Sequence, residues 1–184
     1  MASLSDLLEG GMGLRDAVAK MYKENRQVIF TGNGYSAEWP IKAKELGLPN
    51  LNTTPKAIPT FNSEKNKAIF KKLNILAADE TDARVEVMYE AYNTSVSIEA
   101  KTMIFMMDTG IIPACAKDLA KYESCKELAG DRMEVYTNIT KETQKLKDVM
   151  EKLPSELVAE ANYLCDTVIP AMSSLREQVD MAEG

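Results

Sequence analysis

The chain has 184 residues, 45% hydrophobic and 27% charged, a make-up that fits one globular domain. No apolar run approaches the roughly 18 residues that cross a bilayer, and Met1-Ala2-Ser3-Leu4-Ser5-Asp6 lacks a signal peptide's basic and apolar regions, so no membrane partner and a cytoplasmic location are expected. The net charge is −6 and histidine is absent, which removes the Ser-His-Asp triad, the Cys-His dyad and the commonest metal ligand.

Residues 13–28 read as the first clear helix, with Leu14, Val18, Met21 and Tyr22 at helical spacing and Gly10-Gly11 before them. Gln27 to Thr31 is the one β-like run. It leads into Gly32-Asn33-Gly34, three residues that tolerate positive φ, followed by Tyr35, Ser36 and the only tryptophan, Trp39. Ser36 is expected to cap a short helix that ends near Leu46-Gly47. After an irregular stretch, Thr54-Pro55 reads as a cap followed by proline at the first helical position, and Pro59 limits that helix. Ser63 is expected to cap the next helix, with Ala68, Ile69 and Leu73 facing inward.

The second half differs in kind. Helical periodicity runs from about 80 to 129, interrupted only by Gly110 and Pro113, where a kink is expected. Its apolar stripe is Val85, Met88, Tyr92, Val96, Met103, Met106 and Ile111. The run Met103-Ile104-Phe105-Met106-Met107 is apolar on every side and predicts a central, buried segment shielded by two neighbours. Residues 131–152 supply one, with Tyr136, Ile139, Thr143, Leu146, Met150 and Leu153 alternating steps of three and four. Residues 156–182 supply the other, bent at Pro170. The expected fold is all-α: one helical domain over 1–184, with short helices and loops in 1–76 and an antiparallel bundle in 77–184.

Charge divides along the same line. Residues 1–76 hold 11 Lys/Arg against 7 Asp/Glu, a balance of +4, and residues 77–184 hold 11 against 21, a balance of −10. The acidic half argues against a nucleic-acid partner.

No catalytic constellation emerges. Gly32-Asn33-Gly34 precedes a helix start but is neither GxGxxG nor GxxxxGK[ST], so a structural turn or a subunit contact accounts for it better than a phosphate cradle. Glu86, Glu90, Glu99 and Asp108 lack the histidines of a ferritin-like site. Glu99 lies near the apolar stripe, and an inward carboxylate there needs a partner such as Lys101, Arg84 or a residue from another helix; Glu99 and Arg84 are the candidate buried polar residues, and a solvated surface pair is the alternative. Cys115, Cys125 and Cys165 are odd in number and lack CxxC spacing, which fits buried thiols rather than a zinc site. No catalytic, cofactor-binding or metal residue is assigned.

Several blocks nevertheless carry a resemblance. Ile29-Phe30-x-Gly32-x-Gly34-Tyr35-Ser36-x-Glu38-Trp39 resembles the IFNGDGYSEEW signature of type III glutamine synthetases, from the region C-terminal to their catalytic core. In order, Gly47-Leu48-Pro49-Asn50-Leu51-x-Thr53-Thr54-Pro55 resembles GLPNLKTTP, Ile98-Glu99-Ala100-Lys101-Thr102-Met103 resembles NIEAKTM, and Tyr163-x-Cys165-Asp166-x-Val168-x-Pro170 resembles YCDKVKP. Asn33 stands where the family has an acidic residue, which keeps the turn and removes a charge. The resemblance implies a non-catalytic helical domain of an enzyme that joins ammonia to glutamate using ATP and Mg2+. It places the catalytic, nucleotide and metal residues upstream, outside this chain. The partners it implies are the catalytic domain of the same polypeptide and neighbouring subunits of a homo-oligomer, with Gly32, Asn33, Gly34, Tyr35, Ser36 and Trp39 as the docking turn. The alternative from the residues alone is a free-standing helical interaction module without enzymatic activity.

Overall fold

The computed structural model describes residues 2–183, which are helical with no strand among them. Ten α-helices follow one another: α1 Ala2–Glu9, α2 Leu14–Glu24, α3 Glu38–Glu45, α4 Thr54–Phe61, α5 Glu64–Lys72, α6 Ala78–Met106, α7 Ile112–Ala120, α8 Arg132–Met150, α9 Leu157–Tyr163 and α10 Ile169–Glu183. The all-α expectation holds. The β-like run Gln27 to Thr31 becomes a 3-10 turn, Arg26–Val28, and a short extended link.

Helix α6 organises the molecule. At about 1.5 Å per residue its 29 residues span roughly 43 Å, long enough to serve two cores. Its first turn carries Asp79 and Glu80, favourable at the positive end of the helix dipole, and the Glu80 carboxylate accepts a 2.7 Å bond from the Ala77 N–H. Near that end Val85 and Tyr89 pack with Ile58 of α4 and Ala161 of α9. Farther along, Val96, Ala100 and Met107 join Ile139, Leu146, Leu164, Val168 and Leu175 in the main core. Between the two, the Asn93 amide donates to the Leu157 carbonyl and to Glu160, each at 3.0 Å.

The bundle is antiparallel. Lys147 near the end of α8 pairs with Asp108 at 2.8 Å, while Tyr136 near its start donates to Asp118 of α7 at 2.9 Å. Likewise Tyr163 donates to the Val149 carbonyl at 3.2 Å, and Val135 and Tyr136 lie beside Met181 and Ala182. The three-four pattern of α8 lands as expected: Ile139, Thr143 and Leu146 are buried, and Thr143 covers its hydroxyl by donating to the Ile139 carbonyl at 2.7 Å.

Both interior prolines of the bundle are accommodated the same way. Pro113 and Pro170 have no N–H for the carbonyl four residues back, and their rings crowd it. A π-helical turn precedes each, Met107–Ile111 and Leu164–Val168, in which the Ile112 N–H reaches Met107 and the Ile169 N–H reaches Leu164, five residues back. The irregularity therefore takes the form of a widened turn, and both helices run on beyond it. The helix through Pro113 stops at Ala120, short of the expected 129, and turns carry the chain to a 3-10 segment, Lys126–Ala129.

Helix α4 absorbs its proline differently. It continues through Pro59 to Phe61, and the Pro55 carbonyl that Pro59 leaves without a donor accepts from the buried Tyr89 hydroxyl at 3.4 Å. The position before α4 is Thr53, not Thr54, and proline falls one place later than expected.

Two burial expectations are corrected, and the patterned face of α2 is open. In α2, Leu14, Val18 and Tyr22 are exposed while Ala17 is buried. In α5, Ala68 and Leu73 are exposed, and Ile69 and Phe70 face inward. In the all-apolar run of α6, Met107 is buried and Met103 and Ile104 half-buried, but Phe105 and Met106 face outward. The reason is common to all three: periodicity sets which residues share a face, and a face is buried only where another element reaches it.

Candidate functional site

The signature segment sits between α2 and α3. Asn25 closes α2, its side-chain amide donating to the Met21 carbonyl at 2.9 Å. After the 3-10 turn the backbone extends at Ile29 and enters the loop. The Asn33 side-chain oxygen accepts from the Tyr35 N–H at 3.0 Å, and its carbonyl accepts from the Ser36 N–H and hydroxyl at 3.2 and 2.9 Å. Asn33 thus builds the turn with its amide oxygen, a bond the family's aspartate could equally accept. Ser36 belongs to this turn and does not cap α3, whose flanking residue is Ala37.

None of Gly32, Asn33 and Gly34 has a positive φ, so conformational freedom is not why glycine stands at 32. Its reason is space. The Phe30 ring folds back so closely that a Cβ on Gly32 would lie 2.5 Å from it. In this position the ring stacks on Trp39, centroids 4.1 Å apart, with the Lys42 ammonium 5.4 Å from the Phe30 centroid. Phe30 and Trp39 are half-buried and Tyr35 is fully exposed. Together with Ile29, Asn33 and Lys42 the pair lines an open hollow of about 690 Å³.

This arrangement holds an aromatic stack, an exposed tyrosine, one cation and one carboxylate, Glu38. It offers surface for another apolar surface to meet, and no nucleophile paired with a base. Elsewhere the buried-thiol expectation is corrected: Cys115 and Cys165 are half-buried and Cys125 is exposed. Burial pushes the Cys115 thiol up, and burial followed by the nearby Cys165 pushes the Tyr92 phenol up to about 12. Lys121 and Tyr136, bonded to Asp118, hold its carboxyl below the usual range, and the Tyr136 bond ties α7 to α8.

Glu99 and Arg84 are both exposed. Glu99 falls one residue before Ala100 on α6, off the buried face. The buried polar side chains of this helix are Thr81, Asn93 and Ser97, which hydropathy alone did not single out. Among the described residues no group of three or more His, Cys, Asp or Glu converges as a metal site.

The family model of the glutamine synthetase C-terminal domain matches residues 13–128, from α2 through the signature loop and into the 3-10 segment. The chain is 31% identical over 182 residues to the type-3 glutamine synthetase of Dictyostelium discoideum, covering 86% of this chain and 24% of that protein. It is 31% identical over 196 residues to the glutamine synthetase of Butyrivibrio fibrisolvens, covering 95% and 28%. To that of Bacteroides fragilis it is 25% identical over 209 residues, covering 99% and 28%. The chain spans about a quarter of the length of the curated relatives it matches.

Proposed function

This chain belongs to the glutamine synthetase C-terminal domain family, and on that footing we propose that it is the non-catalytic helical brace of a type III glutamine synthetase, docking on the catalytic part and on neighbouring subunits. Glutamine formation from glutamate, ammonia and ATP is then the work of residues outside these 184. The cytoplasm is the compartment proposed for it.

One observation carries this reading: α2 and the signature loop that follows it expose apolar surface that they do not use themselves. Leu14, Val18 and Tyr22 form an open stripe along α2, and Tyr35 projects fully into solvent beside the Phe30–Trp39 stack. Exposed apolar surface of this kind marks contact sites.

A chimera tests the proposal. This chain replaces the matching stretch of the Butyrivibrio fibrisolvens enzyme, and assembly and glutamine formation are measured. The chimera is expected to assemble and work, its Tyr35→Asp/Trp39→Ala form to lose assembly, and the 184-residue chain alone to form no glutamine. Turnover by the chain alone, or a double variant that assembles normally, overturns the reading.

A further inference from the structure

Helix α6 has a second apolar face. Val87, Ala91, Thr94, Ile98, Lys101 and Phe105 follow one another by four, three, four, three and four residues, which places them on one seam. All six are exposed, with Val87 at 61%, Ile98 at 58% and Phe105 at 64%. The seam lies opposite the face that carries Val85, Tyr89, Val96 and Ala100 into the two cores. A helix apolar on opposite sides is central to whatever it belongs to, and this chain covers one side only.

We propose that the outer seam of α6 pairs antiparallel with the same seam of a second copy of this chain, the two related by a twofold axis passing between Thr94 and Ile98. The proposal deepens the subunit-contact part of the proposed function and rests on it for its use in the enzyme. The seam is self-complementary in that register. Val87 meets Phe105 of the second copy, Thr94 meets Ile98, and Ala91 meets the Lys101 stem; each contact occurs twice by symmetry. Lys101 then comes within reach of Glu90 of the second copy, beside Ala91. Neither Glu90 nor Lys101 forms an ion pair within the described chain.

Charge selects the orientation. A parallel, in-register pair sets Lys101 against Lys101 and Glu90 against Glu90, whereas the antiparallel pair sets opposite charges together. Size sets the strength. Val87 to Phe105 is about 27 Å of helix, and two such seams bury on the order of 1,000 Å² in total, near the lower limit for a specific interface. A weak dimer follows, sustained in the enzyme by the other subunit contacts.

The test uses the full chain. Sedimentation velocity from about 1 to 200 µM is expected to show a monomer–dimer equilibrium with its midpoint in the upper part of that range. Ile98→Glu, at an exposed position, is expected to stay folded by circular dichroism and monomeric throughout. E90K and K101E are each expected to weaken the dimer several-fold, and the double swap to restore it. Carbodiimide coupling supplies the register: Glu90 and Lys101 are about 16 Å apart along their own helix, too far to join directly, so a Glu90–Lys101 amide reports the antiparallel pair. A chain that stays monomeric, a dimer indifferent to Ile98→Glu, or a double swap no better than the singles overturns the pairing. A monomeric chain together with an active chimera removes the pairing while leaving the docking reading in place.

Discussion

The two halves of this molecule treat apolar residues in opposite ways. In the bundle, Ile139, Leu146, Leu164, Val168 and Leu175 are completely enclosed. In residues 2–76 the buried apolar side chains are Ala17, Ala43, Pro55 and Ile58, small or peripheral groups, while Leu14, Val18, Tyr22, Ile29, Tyr35 and Ile41 stay open. The first half has similar helical patterning but little to close against. One ion pair tethers it to α6, Lys67 between both oxygens of Asp82 at 2.8 and 2.9 Å, and Lys72 on Asp6 at 2.7 Å joins α5 to α1 within it. The difference teaches that periodicity encodes a face and leaves its partner unstated. In the bundle the partner is the next helix, and in the arm it is proposed to be the remainder of the enzyme.

Core truncation should divide the halves most sharply. Leu164→Ala is expected to destabilise the chain by about 3 kcal/mol through lost burial and the cavity left behind. Val18→Ala, at the same spacing rank in α2, is expected to stay within about 0.5 kcal/mol. Chemical denaturation followed by circular dichroism measures both, and equal losses would break the comparison.

A smaller effect separates local order in the arm from global stability. Gly32→Ala drives a Cβ into the Phe30 ring and is expected to displace it from Trp39. The fluorescence of Trp39 should change while the melting temperature holds within a degree or two, because the bundle sets the unfolding transition. Unchanged emission contradicts the stack.

The smallest effect lies in the tether. Lys67 foremost, and then Asn62, hold the Asp82 carboxyl below its usual range. Its contribution is therefore complete above the ordinary carboxyl pKa of about 4 and is lost as pH falls through the lowered native value. Lys67 is raised by Asp82, so its share persists through neutral pH and fades only above the ordinary lysine range. Melting curves of the wild type and Asp82→Asn should differ by a constant small amount from pH 6 to 9 and converge in acid; a gap that widens below pH 4 contradicts this.

Much of the bundle was legible from spacing. Tyr136, Ile139, Thr143 and Leu146 announced the face of α8, and Pro113 and Pro170 marked where the long helices depart from regularity. The form of that departure was not legible, because a π turn depends on where the displaced carbonyls find donors. The signature loop was recognisable by residue identity, yet the need for Gly32 comes from the Phe30 ring two residues earlier, a packing fact invisible to conformational preference. Glu99 faces solvent, the alternative its spacing left open, because one residue along a helix is 100° around it, enough to carry a side chain from the core edge to solvent. Phe105 and Met106 misled because all-round apolarity does not say which side is already covered.

Hydrogen exchange on the isolated 184-residue chain tests the central contrast most directly. The account predicts strong protection in residues 78–106, 132–150 and 157–183, with amides held for about hours, and exchange within about seconds to minutes across residues 14–46. Protection of the arm equal to that of the bundle would contradict it, since the first half would then be stable without a partner.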